Sequence, residues 1–333
     1  MYEQFFGFSE RPFDLTPNPR YLVLTAMHRE ALSNLHYAIA SRKGIALLTG
    51  EAGSGKTTVL RAALEAQADR VHYIHLHNPK LTREEFVEML AARFGLSERA
   101  RSSKAALLLE LDELLRQRNA SQQTTVLVVD EAQSLSLELL EEIRLLANIE
   151  TDHEKLLSVI IAGHPELTTR LNERSLQQLK QRVALRCELR SLTSYETFAY
   201  VAGRIRAAGG SAAGIFTREA VALIHERARG VPRTINVIAD NALLAAFATD
   251  QRVVTIDRVR EVCGDFDFQS SPAGEADTSS MTTVASAPAT RVLGITPAGN
   301  SSMAAAVETP PLFRFTEPKR RFFSFFSRGE RTT

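Results

Sequence analysis

The residues best suited to chemistry lie in two short runs. The first, GEAGSGKTT from Gly50 to Thr58, satisfies the pattern GxxxxGK[ST] through Gly50, Gly55, Lys56 and Thr57. Gly53 and Gly55 permit backbone turns that aim successive N–H groups at a β-phosphate, and the helix that follows presents its positive N-terminal end. Lys56 then reaches the β- and γ-phosphates, and the Thr57 hydroxyl ligates Mg²⁺. The whole run Gly50, Glu51, Ala52, Gly53, Ser54, Gly55, Lys56, Thr57 and Thr58 is therefore the candidate ATP cradle. A glycine turn without a ligand has no need of Lys followed by Thr. The second run, VLVVDEAQ, ends an apolar stretch on Asp130 and Glu131, acidic groups that the interior of a buried strand excludes. At the carboxyl edge of a strand they face the ligand crevice. Asp130 suits the magnesium, and Glu131 suits polarising a water for in-line attack on the γ-phosphate.

The elements that must position these groups are legible in the hydrophobic pattern. GIALLTG from Gly44, VHYIHLH from Val71, TVLVVD from Thr125, LLSVIIAG from Leu156 and VALRCEL from Val183 read as strands. The first, third and fourth are almost continuously apolar, the pattern of parallel strands covered on both faces. Helical stretches fill the gaps, and Thr82 with Glu85 three residues later forms a capping box at one helix start. The order strand, helix, strand predicts an α/β sandwich. After about Leu192 the strands stop, and four amphipathic segments, 194–208, 217–229, 233–249 and 256–263, predict an all-helical unit. In GVPRTIN, Gly230 and Pro232 end one helix and start the next, which places Arg233 in a first turn. An arginine there is disfavoured unless an anion compensates it.

Bulk properties narrow the setting. The 333 residues are 44% hydrophobic and 24% charged, ordinary values for a soluble globular chain. Lys and Arg total 40 against 39 Asp and Glu, so global charge offers no reason to expect a nucleic-acid partner. The two cysteines, Cys187 and Cys263, have neither CxxC nor metal-ligand spacing, which fits free thiols in a reducing, cytoplasmic setting. Neither a signal peptide nor a run of about 18 apolar residues is visible. Beyond about Asp267 the composition turns to Ser, Thr, Ala, Pro and Gly, which predicts a disordered linker. The expected division is residues 1–192 for the nucleotide-binding α/β domain, 193–267 for the helical unit, 268–311 for the linker and 312–333 for a C-terminal tail.

With GEAGSGKTT and VVDEAQ both present, the chain resembles the AAA+ P-loop ATPases, and among them those of the general secretion pathway protein A type. The opening MYEQFFGFSERPFDLTPNPRYL, HREAL, AGHPEL and GVPRTIN carry the similarity over residues 1 to 265. The resemblance implies a five-stranded parallel sheet with helices on both faces and a helical lid. It places ATP at the seam between subunits of a homo-oligomer. It also implies roles for three further residues. His164, after the fourth strand, matches the sensor 1 position, where family members more often carry an amide or hydroxyl. Arg182 matches an arginine finger acting on the neighbouring subunit, with Arg186 as the second candidate. Arg233 matches sensor 2. The aromatic N-terminal segment, Tyr2, Phe5, Phe6, Phe8, Phe13 and Tyr21, is placed near the adenine by the resemblance and reads equally as ordinary packing. The transmembrane and peptidoglycan-binding extension common in secretion members has no counterpart, so cell-wall binding does not carry over. The functions implied are an ATPase driving assembly of an envelope secretion or polysaccharide-export system, a transposition or replication helper, or a nucleotide-gated switch with little hydrolysis. Glu131 argues against the last.

The tail PLFRFTEPKRRFFSFFSRGERTT clusters Phe322, Phe323, Phe325 and Phe326 with Lys319, Arg320, Arg321 and Arg328. Drawn as a helix, it suits peripheral contact with an anionic membrane or docking in a protein groove.

Overall fold

The computed structural model describes residues 1–16, 21, 23, 25–77, 80–211 and 214–266. The anticipated linker and tail lie outside the described residues. The elements are α1 (Tyr2–Phe6), α2 (Ala26–Ala40), β1 (Ile45–Gly50), α3 (Lys56–Glu65), β2 (Val71–Leu76), α4 (Arg83–Phe94), α5 (Glu98–Ser102), α6 (Lys104–Ala120), β3 (Thr124–Val129), α7 (Leu137–Leu146), β4 (Leu157–Gly163), α8 (Glu166–Leu171), α9 (Gln177–Arg182), β5 (Val183–Leu189), α10 (Ser194–Ala207), α11 (Arg218–Ala228), α12 (Pro232–Ala248) and α13 (Ile256–Asp265).

The five strands form one parallel sheet in the order β2-β3-β4-β1-β5. Side chains alternate between its faces with the period of two that a strand imposes. On one face Ala46, Leu48, Val126, Val128 and Ile160 pack with Leu35 and Ile39 of α2 and Val59, Leu60 and Leu64 of α3. On the other, Leu47, Leu127, Val129, Val159 and Ile161 pack with Phe86 and Leu90 of α4, Leu111 and Leu115 of α6 and Ile143 of α7. Burial on both faces is why β1, β3 and β4 carry few polar residues. β1 lies inside the sheet between β4 and β5, and β3 lies beside β4. The ends of β1 and β3 therefore deliver Gly50 and Asp130 to one crevice, at the edge where open α/β sheets bind ligands.

The sequence places the helix starts because side chains supply the missing bonds at each first turn. Thr82 and Glu85 form the reciprocal capping box that opens α4, and Thr193 with Glu196 does the same for α10. From α10 to α13 a second core forms around Val201, Ile205, Ile224, Ile235, Ile238 and Leu243. The N-terminal segment joins this core rather than that of the sheet, so packing order and chain order differ. Tyr2, Phe8, Phe13 and Tyr21 are buried there, and Phe5 meets Phe247 edge-on at 5.4 Å. Arg204, itself buried, holds the segment through Nε to the Pro12 carbonyl at 2.5 Å and Nη2 to the Asp14 carbonyl at 2.9 Å.

Candidate nucleotide site

The loop between β1 and α3 has the backbone its glycines allow. Gly53 and Gly55 sit at φ +79° and +99°, in the left-handed region that other residues enter at a cost. Lys56 is 5% exposed, and its Nζ donates to the carbonyls of Gly50 at 2.8 Å and Glu51 at 3.1 Å. Burial pushes the Lys56 ammonium below its ordinary range, against the opposing charges of Glu131, Asp130 and Glu51. The Ser54 hydroxyl oxygen is buried without a hydrogen-bond partner among the described residues. A buried ammonium satisfied only by its own loop and an orphaned hydroxyl fit a cradle for an anionic group. Both belong to residues that line a cavity of about 400 Å³, a volume in the range of small-ligand pockets.

Across the crevice, Thr57 donates its hydroxyl to Asp130 Oδ2 at 2.9 Å, and the Glu131 amide donates to Oδ1 at 3.0 Å. Burial alone would raise the Asp130 carboxyl. His75, Thr57 and the Glu131 amide together outweigh that effect and hold it below the usual carboxylate range. An ionised Asp130 paired to a hydroxyl is a donor set suited to a hard divalent cation, so Thr57 and Asp130 fit Mg²⁺. Glu131 sits at φ +54°, a left-handed conformation uncommon for a non-glycine residue, at the turn after β3. Gln133 Nε2 donates to Glu131 Oε2 at 2.6 Å, and His164 Nε2 stands 3.5 Å from the same oxygen. Gln133 Oε1 in turn accepts from the His164 amide at 3.1 Å, while Arg170 fastens the turn through the carbonyls of Gln133 and Leu135. The end of β4 is thus tied to the end of β3 with Glu131 between them.

The helical unit closes the third side. Pro232 opens α12, and the Arg233 amide donates to the Gly53 carbonyl at 3.2 Å. Arg233 lines the cavity with Lys56 and Glu131. His28 of α2 completes the wall, with Nδ1 2.7 Å from Thr25 Oγ1 and Nε2 3.3 Å from the Ser54 carbonyl. Burial holds its pKa below the ordinary histidine value, and the Ser54 carbonyl opposes this. Asp14, Thr16, Tyr21 and Val23 also line the cavity, so part of the N-terminal segment reaches the site while its phenylalanines pack elsewhere.

The structure therefore brings together Gly53, Ser54, Gly55, Lys56, Thr57, Thr58, Glu131 and Arg233 around one cavity, with Asp130 and His164 one contact away. Arg182, at the end of α9, and Arg186, on β5, are both exposed and neither lines it.

Residues 39–171 match the family model described as an AAA domain. The chain carries an AAA domain. This AAA+ chain is 42% identical over 250 residues to General secretion pathway protein A of Aeromonas hydrophila, an alignment covering 74% of this chain and 45% of that one. It spans less than half the length of that relative. Among solved structures it is similar to the Aeropyrum pernix ORC2 protein at a TM-score of 0.60 and 18% identity, covering 77% of this chain and 72% of that one. It is also similar to Cdc6p from Pyrobaculum aerophilum at a TM-score of 0.57 and 19% identity, covering 76% and 70%. At such identities the likeness concerns the fold. The AAA+ architecture that the resemblance implied, a five-stranded parallel sheet with helices on both faces, is the one found.

Gln133, His28 and Arg204 have places in the structure that the sequence does not signal. A glutamine after an acidic pair carries no periodic signal, and His28 and Arg204 reach the site and the N-terminal segment through partners 26 and 192 residues away.

Proposed function

We propose that this chain binds ATP with Mg²⁺ and hydrolyses it. The observation that carries this reading is the placement of Glu131. Its carboxylate is oriented by Gln133 at 2.6 Å and His164 at 3.5 Å, beside the Thr57–Asp130 pair and the Lys56 cradle. A protein that only bound nucleotide has no use for a carboxylate so held.

Lys56 exchanges its two loop carbonyls for phosphate oxygens, a substitution that keeps a buried ammonium paired. Thr57 and Asp130 would hold Mg²⁺, which would supply neutralisation of the phosphate charge. Glu131 accepts the proton of the attacking water as its oxygen closes on the γ-phosphorus and the bond to ADP breaks. His164 and Gln133 orient that carboxylate, and Arg233 brings the helical unit against the γ-phosphate. Arg182, exposed and away from its own cavity, serves the site of a neighbouring copy in a homo-oligomer. The work driven is assembly or remodelling of a cell-envelope secretion or polysaccharide-export system, and the 42% identity to General secretion pathway protein A supports the secretion branch. The place of action is the cytoplasm, at the inner face of the plasma membrane. No helix among the described residues is long and apolar enough to cross a membrane.

The test of the reaction class is Lys56→Ala in the full chain. Magnesium-dependent phosphate release from ATP is expected of the parent, and loss of both nucleotide binding by calorimetry and phosphate release is expected of the variant. A parent chain that releases no phosphate, or a variant that keeps its ATP affinity, contradicts the reading.

A further inference from the structure

Two imidazoles beside Asp130 take no part in ATP hydrolysis as described. His75 lies in β2 and His77 just past its end, two residues apart and so on one face of the strand. β2 pairs with β3 in register, Leu76 opposite Val129, and the Asp130 amide donates to the Leu76 carbonyl at 3.1 Å. His77 and Asp130 thus follow each other's strand ends at the same height. The two rings lie 3.7 Å apart between centroids. His75 Nε2 stands 3.6 Å from Asp130 Oδ2, beyond hydrogen-bond reach, and it is buried with no hydrogen-bond partner among the described residues. Its side chain is 11% exposed, while His77 is open to solvent.

An aspartate–imidazole ion pair accounts for His75 facing Asp130 but not for the second ring set against it. One donor atom from each of His75, His77 and Asp130 falls within 4.8 Å of the others, the only such trio among the described residues. Tetrahedral zinc, with bonds of about 2.0–2.1 Å, asks for donors roughly 3.3 Å apart. The His75–Asp130 pair already stands at 3.6 Å, and the exposed His77 is the donor with room to turn. Two imidazoles and one carboxylate are a donor set for zinc and its late first-row neighbours, whereas magnesium prefers oxygen. We propose that His75, His77 and Asp130 form a binding site for a zinc-class divalent ion, occupied in alternation with the magnesium of the nucleotide site. The alternation follows from geometry: the oxygen that His75 approaches, Asp130 Oδ2, is the one that takes the Thr57 hydroxyl at 2.9 Å. An ion drawing Oδ2 toward β2 takes it from Thr57, and two divalent ions on one carboxylate oxygen repel each other. Zinc would therefore act as an inhibitor that disarms the aspartate without touching the phosphate loop.

Binding does not depend on the ATPase reading, and only the alternation does. The probe is Co²⁺, then Zn²⁺ in competition, added to the untagged full chain without nucleotide and followed by the ligand-field absorption of cobalt. The parent is expected to take up one ion, and His77→Gln and His75→Gln to bind it at least tenfold more weakly. Equal affinity in the parent and both variants overturns the site, as does the lack of any cobalt spectrum in the parent. Repeating the titration with a saturating magnesium complex of a non-hydrolysable ATP analogue should weaken uptake at least tenfold in the parent. If calorimetry shows the analogue bound and cobalt affinity is unchanged, the alternation is refuted. If the analogue itself fails to bind, the nucleotide reading fails and the cobalt result stands separately.

Discussion

Gly53→Ala separates the local cost of a glycine from its part in the site. Gly53 lies at φ +79°, where an L-residue costs about 1–2 kcal/mol. A Cβ there would stand 2.5 Å from Arg233 Cβ, a separation that forces the start of α12 away from the phosphate loop. Gly95 offers the control. It lies at φ +72° with nothing within 4 Å of its would-be Cβ, so Gly95→Ala carries the backbone cost without the clash. In a domain of this size about 1 kcal/mol moves Tm by roughly 2–4 °C, so Gly95→Ala should lower Tm by about 2–8 °C. Gly53→Ala should lower it at least as much. Only Gly53→Ala should weaken ATP, because only there is Arg233 displaced from the cavity. Loss of one charged hydrogen bond is worth about 1.5–3 kcal/mol, roughly a 10- to 100-fold rise in Kd. Titration with a fluorescent ATP analogue and thermal melts of both variants give the two numbers. Equal ATP affinity in the two variants would refute the claim that Arg233 acts through its contact with Gly53.

Two further outcomes are expected. Arg182→Ala and Glu131→Gln should each lose most turnover, and mixing them should restore partial activity at interfaces that join an intact finger to an intact base; in related NTPases the finger contributes on the order of 10³ to 10⁵ in rate. No recovery in oligomers shown by mass to contain both chains would make Arg182 structural. The second concerns His28, whose folded pKa burial places below its ordinary 6.5. The unfolded chain then binds the proton more readily, so His28 contributes stability that is present above about pH 6.5 and lost as pH falls through the folded value. Tm should fall further from pH 7.5 to 5.5 in the parent than in His28→Gln, and parallel profiles would contradict this.

The parts of the molecule that repeat a local rule were legible from sequence. Ile45–Gly50, Thr124–Val129 and Leu157–Gly163 read as strands because burial on both faces leaves them almost continuously apolar. Thr82 and Glu85 gave the start of α4 because a capping box is local chemistry. Gly50 to Thr58 and Asp130–Glu131 carried the site because phosphate and magnesium demand particular residue types. What escaped depends on register between distant strands. That Gln133 and His164 converge on Glu131 follows from the pairing of β3 with β4, and that His75 faces Asp130 follows from the pairing of β2 with β3. The N-terminal aromatics were ambiguous for a different reason: apolar residues without a helical or strand period do not say which core takes them. Arg204 settles it by holding Pro12 and Asp14 against the helical unit.

The central claim, that Glu131 is a catalytic base and not a structural acid, is tested most directly by Glu131→Gln in one preparation assayed twice. The amide keeps the shape of the side chain and removes its capacity to take a proton. ATP affinity by calorimetry should match the parent, and phosphate release under saturating Mg-ATP should fall by about 10²- to 10⁴-fold, the range for a positioned general base. Phosphate release near the parent rate, with ATP bound, would contradict the account.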